Sequence, residues 1–256
     1  MDKAPAKQRV NKIALARFEQ WALPRMARRL PGWMTPDLLT VIGLVAAGVI
    51  GLSYYLTQYS LGWLWLASLG FVVHWWGDSL DGTLARVRDI RRERYGFYVD
   101  HQSDAVSTLL IFLGLGLSPL MELPIALFLI VGYYLMMILV NLVTIARDVF
   151  KISFGGFGPT ESRLAMIAAN TVVFFLENPV ISVAGYDFRL FSLIGIAGSV
   201  ILIGIYVVTS LKERAVLAEL DPPPPRKPPA EAANGHEGQP PLTPASVPEK
   251  EPAGSR

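Results

Sequence analysis

Six apolar segments, most of them close to the length of a membrane-crossing helix, constrain what this chain can fold into. They occupy residues 38–56, 61–80, 103–118, 123–146, 162–176 and 190–211. A helix needs about 20 apolar residues to cross ~30 Å of hydrocarbon. With 52% hydrophobic and 17% charged residues, the chain is also too apolar for an ordinary soluble domain. The sequence therefore predicts an all-α polytopic membrane protein with six transmembrane helices. The fifth segment is short and carries Asn170, so we expect it to be buried among the others.

Basic residues are concentrated on one set of connecting segments. Eight lie in the first 36 residues, five lie between positions 86 and 94, and further ones follow the fourth and sixth segments. The opposite set of loops holds a single basic residue, Arg189. Because positive charge is retained on the cytoplasmic side, we expect both termini to be cytoplasmic, in an inner membrane of bacterial type.

The two ends of the chain differ from the apolar middle, residues 37–214. Within residues 1–36, one helical face carries Val10, Ile13, Ala14, Phe18 and Trp21. This pattern predicts an amphipathic helix in the cytoplasmic interface, ended by Pro24 and Pro31, although it also fits a helix packed on the rest of the protein.

Residues 215–256 form the C-terminal segment. From Asp221 onward it holds 11 prolines in 36 residues and almost no large apolar side chain. Such a composition cannot bury enough apolar surface to offset its ordering entropy, which predicts a disordered cytoplasmic tail.

Four aspartates lie where the second and third apolar segments meet the cytoplasmic side. Asp78 and Asp81 are spaced i, i+3, and Asp100 and Asp104 are spaced i, i+4, so each pair shares a helix face. On consecutive antiparallel helices the two pairs would converge, and four carboxylates that close repel one another unless cations lie between them. Hard oxygen ligands of this kind suit Mg²⁺ or Mn²⁺, and their number suggests one or two ions.

Small residues and an arginine accompany the aspartates. Gly82 and Ala85 lie near Asp78, and Gly96 precedes Asp100 by one turn. They leave space for a bulky group beside the helix backbone, or they serve helix packing. Arg86 fits bidentate binding of a phosphate or a positive-inside anchor equally well.

Taken together these residues form one spaced pattern. It reads Asp78-x-x-Asp81-Gly82-x-x-Ala85-Arg86, nine residues, Gly96-x-x-x-Asp100-x-x-x-Asp104. The pattern closely resembles the signature of the CDP-alcohol phosphotransferase family of membrane enzymes of phospholipid synthesis. The resemblance covers about residues 8–214 and implies a cytoplasm-facing site.

The resemblance implies a role for each of these residues. Asp78, Asp81, Asp100 and Asp104 would hold the divalent metals, and Asp104 would also be the general base that deprotonates an acceptor hydroxyl. The nucleotide of the CDP-alcohol would lie against the following residues: Gly82, Ala85, Arg86 and Gly96. The expected donor substrate is CDP-diacylglycerol or another CDP-alcohol. His101 is a competing base, which we expect to point away from the aspartate face because it is one residue from Asp100.

The acceptor is less constrained. Arg147, Lys151 and Arg163 would suit a phosphorylated alcohol, whereas Glu161 would suit the ammonium of an amino alcohol. Glu161 also has a local interpretation, in which Thr160 is the N-cap of the fifth segment and Glu161 lies in its first turn.

Several alternatives stay open. One is transfer of phosphocholine or phosphoethanolamine from its CDP derivative to diacylglycerol. Others are a divalent-cation transporter and an inactive membrane scaffold. The expected partners are substrate, acceptor and membrane lipids, without nucleic acid, and a homodimer is one candidate assembly.

Overall fold

The computed structural model describes residues 8–10, 16–147, 149–151, 158–183 and 185–223. The described residues are mainly helical, and the fold is all-α, as predicted. The helices are α1 (Ala16–Arg29), α2 (Pro36–Leu56), α3 (Trp63–Val87), α4 (Glu93–Gly116), α5 (Leu123–Arg147), α6 (Pro159–Leu176) and α7 (Leu190–Leu220). The strands are β1 (Gln8–Val10), β2 (Val149–Lys151), β3 (Val180–Val183) and β4 (Tyr186–Arg189).

The strands form two small sheets. β1 pairs in parallel with β2, with Gln8 opposite Val149. β3 and β4 form an antiparallel hairpin between α6 and α7, with Val180 opposite Arg189. Val10 therefore lies in a strand, so its predicted place on the N-terminal helix is wrong. Ile13 and Ala14 of the same predicted face lie outside the described residues.

Each predicted span corresponds to one of the helices α2 to α7. In the described part of the chain, α2, α5 and α7 are long and apolar enough to cross a membrane by length and composition. The helices extend beyond the apolar segments at the polar ends: α3 continues to Val87, and α4 begins ten residues before the predicted start at 103. In both helices the backbone hydrogen bonds continue past the end of the apolar segment. All four aspartates therefore lie within helices. Likewise, α7 continues through residues 215–220, which the sequence predicts as part of the tail.

Helix α1 continues through a proline that was expected to end it. Pro24 lies inside α1. A proline in a helix leaves the carbonyl four residues earlier without its partner, and here that residue is the exposed Gln20, whose carbonyl water can satisfy. One side of α1 is buried through Ala22, Leu23 and Ala27.

The buried side of α1 belongs to an apolar cluster that includes the residue before Asp81 on α3. Leu23 and Ala27 pack there with Leu39 of α2 and with Leu80 and Leu84 of α3. A second, larger cluster lies among α2 to α7 and includes Tyr54, Phe71, Leu115 and Phe191. The first cluster fixes α1 against the helix that carries Asp78 and Asp81.

Helices α2 and α3 approach closely beside the aspartates. A Cβ placed on Gly77 would lie 2.6 Å from the Leu39 carbonyl oxygen and 2.8 Å from the Gly43 nitrogen, so only glycine fits there. Close backbone approach at small residues is the usual way in which membrane helices pack. Because Asp78 follows Gly77, this crossing brings the aspartates of α3 next to α2.

The polar residue of the fifth span is buried, but the prediction that the whole span is buried is wrong, since Leu164 and Phe175 of α6 are 49% and 70% exposed. Asn170 of α6 is 1% exposed. Its Nδ2 donates to Ser68 Oγ at 3.1 Å, and its Oδ1 accepts from the Tyr54 hydroxyl at 2.8 Å. A buried amide with both ends satisfied fixes α6 against α2 and α3.

Candidate active site

The four aspartates lie on two consecutive helices. Asp78 and Asp81 belong to α3, Asp100 and Asp104 belong to α4, and all four side chains are partly buried. Asp104 interacts electrostatically with each of the other three carboxylates. The fold therefore brings the two pairs into one region of concentrated negative charge.

Two of these carboxylates have partners from other helices. Arg163 Nη2 of α6 donates to Asp78 Oδ2 at 2.6 Å, and both side chains are largely buried, at 11% and 21% exposure. Thr40 Oγ1 of α2 donates to Asp81 Oδ2 at 2.7 Å, while the backbone N–H of Gly82 donates to Asp81 Oδ1. Asp78 and Asp81 are thereby held in fixed orientations by charge-assisted hydrogen bonds.

Asp100 is more open than Asp78, with a side chain 46% exposed against 21%. His101 Nδ1 lies 3.5 Å from Asp100 Oδ2, so the expectation that this histidine points away is wrong. The same nitrogen lies 2.9 Å from the Phe97 carbonyl oxygen, and the two rings stack with centroids 4.1 Å apart. Since a carbonyl only accepts, Nδ1 carries a proton in this arrangement.

The predicted nucleotide residues lie on the outer side of the same helices. Gly82 and Gly96 are exposed, and a Cβ on Gly96 would have no atom within 4 Å. Arg86 is exposed too, and its Nη2 donates to Thr83 Oγ1 at 2.7 Å. Ala85 is partly buried. Open space thus adjoins Gly96, whereas a Cβ on Gly82 would lie 3.7 Å from Arg86 Nη1.

The predicted acceptor residues are not all in one place. Arg163 contacts Asp78, whereas Arg147, at the end of α5, forms an ion pair with Glu213 of α7 at 2.5 Å. Lys151 belongs to β2, and its side chain lies outside the described part of the structure. The structure therefore joins Arg163 to the aspartates and gives Arg147 a different partner.

The start of α6 differs from the predicted cap. Gly158 is the N-cap and donates its N–H to Glu161 Oε2 at 3.1 Å, so Glu161 does have a local capping contact. Thr160 is not the cap: its Oγ1 donates to Glu19 Oε1 of α1 at 2.5 Å. Because α6 already begins at Pro159, Thr160 lies inside the helix, past the capping position.

The donor chemistry fits a divalent cation. Four carboxylates in mutual electrostatic contact supply hard oxygen ligands, of the type that Mg²⁺ and Mn²⁺ prefer. Within the described ranges, no three acidic or histidine side chains are gathered into a ready coordination set. Asp78 is instead engaged by Arg163, and Asp81 by Thr40.

A small cavity of about 10 Å³ lies between α2, α3 and α4. Its walls include Thr40, His74, Asp78 and Ser103. His74 is 5% exposed, and among the described residues its Nδ1 has no hydrogen-bond partner. The cavity has about the volume of a single water site. His74 packs between helices, as predicted.

Sequence reasoning missed several residues that hold this region together. Thr40 and Glu19 are two of them, and they carry no motif that could have found them. Arg88 donates to backbone carbonyls after α1, among them that of Met34 at 2.5 Å and that of Pro31 at 2.9 Å. Its only sequence signal was positive charge.

Arg92 has a specific partner as well. Its Nη2 donates to both oxygens of Asp37 at 3.0 Å and 2.8 Å, and this hydrogen bonding raises the pKa of Arg92. Arg92 precedes α4, and Asp37 lies in the first turn of α2. The pair links the start of α2 to the start of the helix that carries Asp100 and Asp104.

Comparisons with known proteins identify the family of the chain. The chain is 35% identical over 95 residues to cholinephosphotransferase 1 of Danio rerio, a match that covers 35% of this chain and 25% of that relative. The chain thus matches about a quarter of the length of this curated relative. The family model for CDP-alcohol phosphatidyltransferase matches residues 33–210, which include every aspartate of the site. With most of its length matched, this integral membrane protein belongs to the CDP-alcohol phosphatidyltransferase family.

Proposed function

We propose that the protein transfers a phosphatidyl group from CDP-diacylglycerol to the hydroxyl of an acceptor alcohol and releases CMP, in phospholipid synthesis. The observation that carries this proposal is the set of four partly buried carboxylates on α3 and α4, in a chain of this family. The acceptor oxygen forms a new bond to the β-phosphorus. The bond from that phosphorus to the oxygen bridging the two phosphates breaks, and CMP leaves with that oxygen.

Asp78, Asp81, Asp100 and Asp104 would hold one or two Mg²⁺ or Mn²⁺ ions. When bound, such ions neutralise diphosphate charge and stabilise the leaving CMP. The support is the donor chemistry together with the electrostatic crowding of the four carboxylates. The hydrogen bond from Thr40 holds the Asp81 carboxylate in place.

Asp104 acts as the general base. It lies one turn further into α4 than Asp100 and is partly buried, so it meets an acceptor hydroxyl away from bulk water. The hydroxyl proton moves to the Asp104 carboxylate as the new oxygen–phosphorus bond forms. His101 is the competing candidate, because a neutral imidazole that donates from Nδ1 carries its basic lone pair on Nε2.

The two halves of the substrate pair lie against different residues. Gly82, Ala85, Arg86 and Gly96 line the nucleotide side, where the exposed glycines let the CDP group approach the backbone. The acceptor side is formed by the start of α6 and the residues before it, with the following side chains as contacts: Arg147, Lys151, Glu161 and Arg163.

We also propose that all six helices from α2 to α7 cross the membrane, with both termini and the aspartates in the cytoplasm of a bacterial-type cell. The support is the asymmetry of basic residues, with Arg189 alone on the opposite side. The native chain contains no cysteine, so single cysteines can report topology without a background signal. A cysteine at Arg189 should react with an impermeant maleimide from outside intact cells, and one at Arg91 should not.

The test of the reaction is CMP release by purified protein in lipid nanodiscs. CDP-diacylglycerol and Mg²⁺ are supplied with a panel of glycerol 3-phosphate, inositol phosphate, serine, ethanolamine and choline. We expect release with one class of alcohol and none without alcohol. An absence of release from CDP-diacylglycerol with every alcohol would reject this form of the proposal.

A second candidate is transfer of phosphocholine or phosphoethanolamine from its CDP derivative to diacylglycerol. It is favoured by the similarity to a protein named cholinephosphotransferase 1. The same assay tests it with CDP-choline or CDP-ethanolamine plus diacylglycerol. CMP release in that arm alone would select it, and cation transport without CMP release in either arm would instead indicate a transporter.

A further inference from the structure

Glu19 of α1 connects the two helices that meet at the site. Its Oε1 accepts from Trp75 Nε1 of α3 at 3.1 Å and from Thr160 Oγ1 of α6 at 2.5 Å. The carboxylate is partly buried, as are both of its donors. A single oxygen therefore joins three helices that are far apart in sequence.

Both donors lie one turn from the ion pair of the candidate site. Trp75 precedes Asp78 by three residues on α3, and Thr160 precedes Arg163 by three residues on α6. Arg163 and Asp78 are the residues joined at 2.6 Å. Glu19 thus bridges α3 and α6 next to the point where they touch through charged side chains.

Helix α1 is well placed to hold this bridge steady. Leu23 and Ala27, on its buried side, pack with Leu80 and Leu84 of α3. Phe18, beside Glu19, is 53% exposed and takes no part in this packing. The apolar contacts fix α1 to α3, so the hydrogen bond from Thr160 positions the first turn of α6 relative to α3.

We propose that Glu19 is a positioning residue, which holds the first turn of α6, with Glu161 and Arg163, at its working distance from the aspartates of α3. The inference rests on the proposed function, in which that turn contacts the acceptor alcohol and α3 contacts the CDP-alcohol. Loss of Glu19 then weakens use of the acceptor more than use of the CDP-alcohol, because the nucleotide residues belong to α3 and α4.

The decisive comparison is between Glu19→Ala and Glu19→Gln. Alanine removes both hydrogen bonds, whereas the glutamine carbonyl can accept both at the place of Oε1. Loss of one to two ordinary hydrogen bonds predicts a rise of about 5- to 30-fold in acceptor KM for Glu19→Ala. The KM for CDP-diacylglycerol should stay within about two-fold of wild type, and Glu19→Gln should stay close to wild type in both constants. The acceptor used is whichever panel alcohol supports CMP release, or diacylglycerol with CDP-choline if only that arm is active.

Matched variants separate this role from general destabilisation. Gln20→Ala changes an exposed neighbour on the same helix and should have no effect. Trp75→Phe and Thr160→Val each remove one donor and should give intermediate acceptor KM values. Equal increases in both KM values for Glu19→Ala would overturn the proposal, and so would a Glu19→Gln variant as impaired as Glu19→Ala.

A distance measurement tests the bridge without activity. Nitroxide labels on Arg28→Cys of α1 and Ala165→Cys of α6, both exposed positions, report the separation of the two helices by pulsed electron spin resonance. We expect one narrow distance distribution for wild type and Glu19→Gln, and a broader or shifted one for Glu19→Ala. An unchanged distribution in Glu19→Ala would refute the bridge. If wild type released no CMP with any substrate, the proposed function would fail while this measurement still decided the bridge.

Discussion

The ion pair between Arg147 and Glu213 gives a prediction that separates stability from acceptor binding. Arg147 Nη1 lies 2.5 Å from Glu213 Oε2, and the two side chains are 23% and 8% exposed. Removing one partner of a buried pair costs about 3–5 kcal/mol, because the other charge is left uncompensated. Because Glu213 is the more buried of the two, Arg147→Met should lie near the upper value, and Glu213→Gln, which leaves the better hydrated arginine, should lie near the lower value.

The double variant Arg147→Met/Glu213→Gln supplies the control. Since neither charge remains, its free energy of unfolding should return to within about 1 kcal/mol of wild type. Unfolding is followed by tryptophan fluorescence during titration of detergent-solubilised protein with sodium dodecyl sulfate. If the two single losses simply added in the double variant, the pair would not be energetically coupled and the reasoning would fail. CMP release adds a functional readout: a double variant that regains stability but keeps a raised acceptor KM would show that Arg147 also binds the acceptor.

Three further outcomes follow from the site and the fold. CMP release should require Mg²⁺ or Mn²⁺ and stop in excess EDTA; undiminished turnover there would reject the metal site. Asp104→Asn should retain CDP-diacylglycerol binding but lose about 10²–10⁴-fold in turnover, as expected for loss of a general base, whereas Asp78→Asn should lose both. Binding by isothermal titration and elution by size exclusion would tell these effects from misfolding. Truncation after Leu220 should leave turnover in nanodiscs largely intact, since the Pro-rich segment has no apolar face to dock, and a well-folded but inactive truncation would contradict this.

Local patterns in the sequence predicted the helices well and their polar ends less well. Hydrophobicity located the cores of α2 to α7, because burial and lipid exposure both select apolar residues over a helix length. It placed the start of the third span at 103, whereas α4 begins at Glu93. Residues 93–102 are mostly polar, yet their backbone hydrogen bonds continue the helix. A hydrophobicity pattern does not report backbone hydrogen bonding, so it could not locate this start. The prediction that Pro24 ends the N-terminal helix was also wrong. The carbonyl that loses its hydrogen bond to this proline belongs to Gln20, an exposed residue, so water can replace the lost partner.

The aspartates were found from spacing, whereas their partners could not be. Positions i, i+3 and i, i+4 share a helix face by geometry alone, so the pairs on α3 and α4 required no knowledge of the fold. Thr40 and Arg163 reach these aspartates across 41 and 85 residues, and Glu19 reaches Thr160 across 141. Each of these contacts depends on how helices cross rather than on a local pattern. The crossing of α2 and α3 in turn depends on Gly77. Because glycine has no side chain, the Leu39 carbonyl of α2 can approach the backbone of α3 at this position. A motif can therefore name the carboxylates, while the orientation of each carboxylate is decided by small residues and single hydrogen bonds elsewhere in the chain.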